Sequence, residues 1–152
     1  MIRINYQQQI LHFIVFLVLQ IPFLYKMVLF DRAFGFFYVG FLLLLPFGLS
    51  RSLSMVIALV SGLVIDVFSN TPGIHASACI LIVFIKDFWF RLTIEDSEDD
   101  VFLDWNELKI WGSIKYFLPL IFMHHFVIFT VENGGLSLFG LLFSKIIYST
   151  AY

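Results

Sequence analysis

Four long stretches of this chain contain no Asp, Glu, Lys or Arg: 4–25, 33–50, 67–85 and 116–131. Two more come close. Residues 52–65 are uncharged up to Asp66, and after Asn133 the only charge is Lys145. A helix crosses the hydrocarbon core of a bilayer with about 20 mostly apolar residues. Runs of this length leave a soluble chain nowhere to put them, because a small domain keeps much of its surface in water. Composition agrees: 61% of the residues are hydrophobic and 13% charged, against about 45–50% and about 25% in soluble domains. A soluble globular domain and a disordered segment are excluded. The net charge of −2 gives no basic footprint for nucleic acid. The single cysteine, Cys79, allows neither a disulfide framework nor a cysteine-based zinc site.

The pattern predicts an all-α membrane protein, a bundle of six transmembrane helices forming one domain over 1–152. The expected spans are 10–30, 33–49, 52–68, 74–90, 114–131 and 136–152. The breaks between them have turn chemistry. Asp31-Arg32 closes the first, Pro46-Phe47-Gly48 the second, Asn70-Thr71-Pro72-Gly73 the third, and Glu132-Asn133-Gly134-Gly135 the fifth. A barrel would need short alternating segments, which these continuous runs are not. The N-terminal run is too long for a cleavable signal peptide and lacks a small-x-small cleavage site. The last span is short and has no basic anchor after it, so the chain is expected to be truncated there.

Lys and Arg set the orientation. With the N-terminus inside, the cytoplasmic side collects Arg3, Arg51, Lys86, Arg91, Lys109 and Lys115, and the outer side only Lys26 and Arg32. Both termini are therefore expected in the cytoplasm. Residues 92–113 form the one sizeable loop, rich in Asp and Glu. Val101, Phe102, Trp105, Leu108 and Trp111 recur in it at helical spacing. The loop reads as a solvated linker with aromatic anchors, or as a docking site for a basic partner.

Polar residues inside the spans carry the rest of the reading. Ser54, Ala58, Gly62 and Asp66 are four apart and share one face of the third helix. Such a small-residue ladder lets helices approach closely in lipid. Asp66 ends it at a helix C-terminus, where a carboxylate opposes the macrodipole. It is expected to be paired or to act as a cap, with Arg32 or Lys26 at the same level, or else to be hydrated among headgroups. Gln20, Ser61, His124, His125 and Lys145 fall near mid-depth and form a candidate polar layer. Lys145 either points into the bundle towards Gln20 or a histidine, or snorkels to the inner surface. Interhelical hydrogen bonding is the first use of such a layer. His124 and His125 are adjacent and diverge by about 100° on a helix, which argues against a shared metal ion. No H-E-x-x-H, nucleophile elbow or phosphate loop is present. Neither catalysis nor a cofactor is expected.

The segment from Ser61 to Ala76, SGLVIDVFSNTPGIHA, resembles the one that typifies the bacterial rod shape-determining protein MreD family. The matching positions are Gly62, Asp66, Pro72, Gly73 and Ala76, with Gln20 similar to a polar residue often seen in the first span. Length, span count and expected topology resemble the family over nearly the whole chain. The early C-terminus departs from it. The resemblance implies a fold similar to the substrate-binding S components of energy-coupling-factor transporters. It also implies a non-enzymatic subunit of the cell-elongation machinery in the bacterial cytoplasmic membrane, partnered by MreC. The wider complex would hold MreB, RodA and a class B penicillin-binding transpeptidase. The alternative is a small-molecule-binding S component. That reading needs an outer pocket of convergent polar groups, whereas the outer loops are short and poor in polar side chains.

Overall fold

The computed structural model describes residues 11, 14–15, 28–29, 33–34, 36, 38–46, 49–93, 110–135 and 139–151. Among them the chain is all-α apart from one minimal ladder. Five helices follow in order: α1 (Tyr38–Leu43), α2 (Arg51–Ser69), α3 (Ile74–Thr93), α4 (Ile110–Glu132) and α5 (Phe139–Ala151). They are preceded by β1 (Val28–Leu29) and β2 (Ala33–Phe34), which pair antiparallel. Helices α2 to α5 pack each on the next, α1 lies against α3, and β2 lies against α5.

Helix α2 starts where Ser50 accepts from the Leu53 N–H at 3.4 Å, the ordinary N-cap arrangement. Its inward stripe is small: Ser54, Ala58, Ser61 and Gly62 are buried, with Ile65 and Asp66 following. Its outward side is apolar and open, with Val56, Val60, Leu63 and Val67 exposed. The same inversion recurs on α3 at Phe84, Phe88 and Leu92, and on α4 at Ile114, Leu118, Phe122 and Phe126. Apolar faces point outward while Asp66, His75, Lys86, His124 and His125 are buried. Two helices, α2 and α4, are long and apolar enough to cross a membrane.

The small stripe matters because α2 and α3 touch backbone to backbone. A Cβ built on Gly62 would lie 2.6 Å from the Ala76 nitrogen and 2.8 Å from the His75 carbonyl carbon. No side chain fits there. The turn between the helices is equally tight. Asn70 adopts the left-handed conformation at φ 54° and Gly73 sits at φ 82°, where a Cβ is strained. The Asn70 and Thr71 N–H groups both return to the Asp66 carbonyl, closing α2 as a left-handed C-cap does.

Two expectations fail at the N-terminal side. The second span is expected as one helix over 33–49, but Ala33–Phe34 are extended and the helix among the described residues there is Tyr38–Leu43. The break expected at Asp31-Arg32 falls in the connection between two paired strands, and Val28–Leu29, the end of the expected first span, are extended too. Strand pairing captures the start of the apolar run, and Pro46 holds the residue before it out of helix. The other ends shift modestly. Helices α3 and α4 run into the expected loop from both sides, leaving 94–109 of it outside the described residues. Most of 10–30, with Gln20, Lys26 and Arg32, also lies outside them.

At six residues α1 is too short to persist alone. Tyr38, Val39, Phe41, Leu42 and Leu43 are all buried, so packing holds it. Near its C-terminus the Gly40 and Leu42 carbonyls accept from the Leu44 and Leu45 N–H groups, and side chains take the carbonyls of Leu43 and of Leu45 just beyond. Tyr116 Oη donates to the Leu43 carbonyl at 3.1 Å, and Lys86 Nζ to the Leu45 carbonyl at 2.7 Å. Lys86 was counted among the flanking cytoplasmic charges. It is instead 1% exposed, with its cation at the negative end of the α1 dipole.

The Gly62 contact makes a direct prediction. Gly62→Ala should destabilise the protein by about 1–3 kcal/mol, as overpacking does. Gly140→Ala meets nothing within 4 Å and should be neutral or slightly stabilising. Thermal unfolding of the two variants in the same detergent checks both.

Candidate functional site

The polar interior of the bundle is organised from Asp66. Its carboxylate leaves α2 and reaches the start of α3. One oxygen, Oδ1, accepts from the Thr71 hydroxyl at 3.0 Å and the His75 N–H at 2.9 Å. The other, Oδ2, accepts from the Ala76 N–H at 3.0 Å. The Ile74 N–H bonds the Thr71 carbonyl, and the Ser77 N–H begins the regular ladder at Gly73. The first-turn donors of α3 are thereby satisfied, and a negative charge meets the positive end of its dipole. Asp66 is a cap supplied by the preceding helix rather than by the residue just before α3. Arg32 and Lys26, the cations suggested for it, lie outside the described residues.

This cap holds the backbone of His75, whose side chain begins the second part of the site. His75 Nδ1 lies 2.7 Å from Tyr38 Oη, and the same hydroxyl lies 2.9 Å from His124 Nε2. Three helices, α1, α3 and α4, meet at one phenol. Tyr38 has one proton, so it donates to one imidazole and accepts from the other. His124 Nδ1 is buried and has no hydrogen-bond partner. The assignment that leaves no buried N–H unpaired has His124 Nε2–H donating to Tyr38, and Tyr38 O–H donating to His75 Nδ1. Phe36 covers the group, with its ring centroid 5.4 Å from that of His75, 5.9 Å from His124 and 5.2 Å from His125.

His125 turns away from this phenol, as adjacent helical positions must. Its Nδ1 lies 3.0 Å from the Thr150 hydroxyl of α5. The expected mid-depth layer is therefore divided. Ser61 is buried but spends its hydroxyl on the Ile57 carbonyl of its own helix, at 2.7 Å. Lys145 lies with its ammonium 5.9 Å from the Phe129 ring centroid, a turn beyond His125 along α4. Gln20 is outside the described residues. The ladder residues Ser54 and Ala58 are buried along α2, while Pro72 and Gly73 shape the corner.

Tyr38 and Lys86 are the participants that sequence reasoning missed. Tyr38 sits in an aromatic run without periodic signal, and Lys86 reads as an ordinary flanking charge. Chemically the site is a brace, in which each bond ties one chain segment to another. Among the described residues, no three His, Cys, Asp or Glu side chains form a group that could hold a metal ion. Comparison with family models, with curated proteins and with solved structures finds no match for the chain.

Asp66→Ala should cost at least about 2 kcal/mol, because buried N–H groups of His75 and Ala76 lose their acceptor. Tyr38→Phe should cost about 1–3 kcal/mol for the histidines it leaves unpaired. Unfolding in detergent with a denaturant measures both. Ser61→Ala removes a bond within one helix and should change stability far less.

Proposed function

We propose that this protein is a non-enzymatic, multi-pass subunit of the bacterial cytoplasmic membrane, of the MreD kind. In this reading it crosses the membrane more than once and supports rod shape by associating with MreC. Through MreC it would meet the elongation complex of MreB, RodA and a class B penicillin-binding transpeptidase. One observation carries the reading. The residues of the MreD-like segment, Gly62, Asp66, Pro72, Gly73 and Ala76, all belong to one joint, where Asp66 caps α3 and Gly62 meets its backbone. A segment spent on joining helices suits a protein whose work is association. The apolar outward faces of α2, α3 and α4 are what lipid and partner helices would cover. The interior polar groups serve as cross-braces, which is consistent with a scaffold.

A second reading has its own support. The unpaired His124 Nδ1 beside Tyr38 and His75 is the kind of convergent polar group a small-molecule-binding S component would use. Purification from gently solubilised membranes, with mass spectrometry of proteins and small molecules, separates the two. The scaffold reading expects MreC or a wall synthase without a stoichiometric ligand. A transporter coupling subunit or a bound vitamin-like molecule would overturn it. Asp66→Ala is expected to lose both MreC recovery and rod-shape complementation. A variant that keeps both would remove the joint from the proposed interaction.

A further inference from the structure

Helix α4 carries Pro119 in its interior. Proline has no N–H for the carbonyl four residues back, and its ring pushes that carbonyl aside. The carbonyl concerned is that of Lys115. In apolar surroundings a freed carbonyl needs a new donor, and a neighbouring helix is a usual source. Trp89 of α3 supplies it, its indole Nε1–H donating to the Lys115 carbonyl at 3.1 Å. One residue further on, Tyr116 donates to the Leu43 carbonyl of α1, and its ring meets Phe90 edge-on at 5.9 Å.

The Trp89–Lys115 bond lies at the exposed edge between α3 and α4, while Tyr116, one residue on, is buried. The outer side of α4 before the proline presents Ile110, Trp111, Ile114 and Leu118, of which Ile110 and Trp111 are about three-quarters exposed. Nothing among the described residues packs over that side. Residues 110–118 are thus tied to the rest of the bundle by two side-chain-to-backbone bonds, and joined to the rest of α4 at Pro119, which gives the ladder no N–H.

We propose that α4 is a hinged helix. Pro119 is the pivot, and the Trp89 indole is the latch that holds 110–118 against α3. Released, the segment swings outward about Pro119. This draws Tyr116 from the Leu43 carbonyl at the end of α1.

The logic of the latch dictates the test. Trp89→Phe keeps an aromatic ring but removes the indole donor to the Lys115 carbonyl. Adding Pro119→Ala restores a backbone N–H to the same carbonyl. The full chain is placed in lipid nanodiscs with spin labels at Phe88→Cys and Ile114→Cys, both exposed positions; buried Cys79 stays. Pulsed electron resonance should give one narrow distance for the parent. Trp89→Phe should add a longer component, and Trp89→Phe with Pro119→Ala should return to the narrow distance. Hydrogen exchange of unlabelled protein over 110–118 should follow the same order. There, Trp89→Phe should speed exchange about fivefold, the factor one ordinary hydrogen bond supplies. An unchanged distance and exchange rate in Trp89→Phe would overturn the latch. A longer component that persists in the double variant would overturn the pivot.

Discussion

The bond from the Asp66 carboxylate to the start of α3 is the constraint on which the remaining geometry rests. Backbone N–H groups at a helix start have no partner within the helix. In apolar surroundings, leaving them bare costs several kcal/mol each. An acceptor from α2 reaches them only if the two backbones almost touch, and Gly62 against Ala76 allows that approach. It also requires a corner that reverses the chain within a few residues, which left-handed Asn70 and Gly73 provide. With the His75 N–H fixed by Asp66, its imidazole is aimed at Tyr38, and through Tyr38 at His124. The position of α1 and the inward face of α4 follow from that chain of bonds.

The same economy operates wherever a helix ends or is interrupted. The carbonyls at the end of α1 are taken by Tyr116 and Lys86. The carbonyl freed by Pro119 is taken by Trp89. In each case a side chain of one helix repairs the backbone of another. Interior polarity in this bundle goes mainly to closing gaps in main-chain hydrogen bonding. A buried cation needs partners, and Lys86 has the Leu45 carbonyl just past α1 and the Asp87 carboxylate at 3.8 Å. The outward faces need no such repair and are left to Leu, Val, Ile and Phe.

Legibility in the sequence divides along the same line. The α2–α3 joint was readable because its parts are local: a ladder of small residues, a carboxylate one turn past Gly62, and a turn of Asn, Thr, Pro and Gly. The carboxylate's partner was not, since a cap lent by one helix to the next leaves no mark at the usual N-cap position. The shortening of the second span was hidden because 33–49 is apolar throughout, and strand pairing with Val28–Leu29 is a tertiary event. Within the polar layer, equal depth does not give proximity. Ser61 and His124 are both buried, yet one bonds within its own helix and the other crosses to α1. Lys86 looked like an orientation signal because nothing in 33–49 announces a helix end buried beside it.

The most direct examination of the account is amide hydrogen exchange at His75 and Ala76, resolved by nuclear magnetic resonance on labelled protein in nanodiscs. First-turn amides of a helix ordinarily lack a partner. The account predicts that both are protected like interior amides of α3 in the native protein, and that both lose that protection in Asp66→Ala. Protection that survives the substitution would assign it to burial alone, and would remove the carboxylate from the centre of this fold.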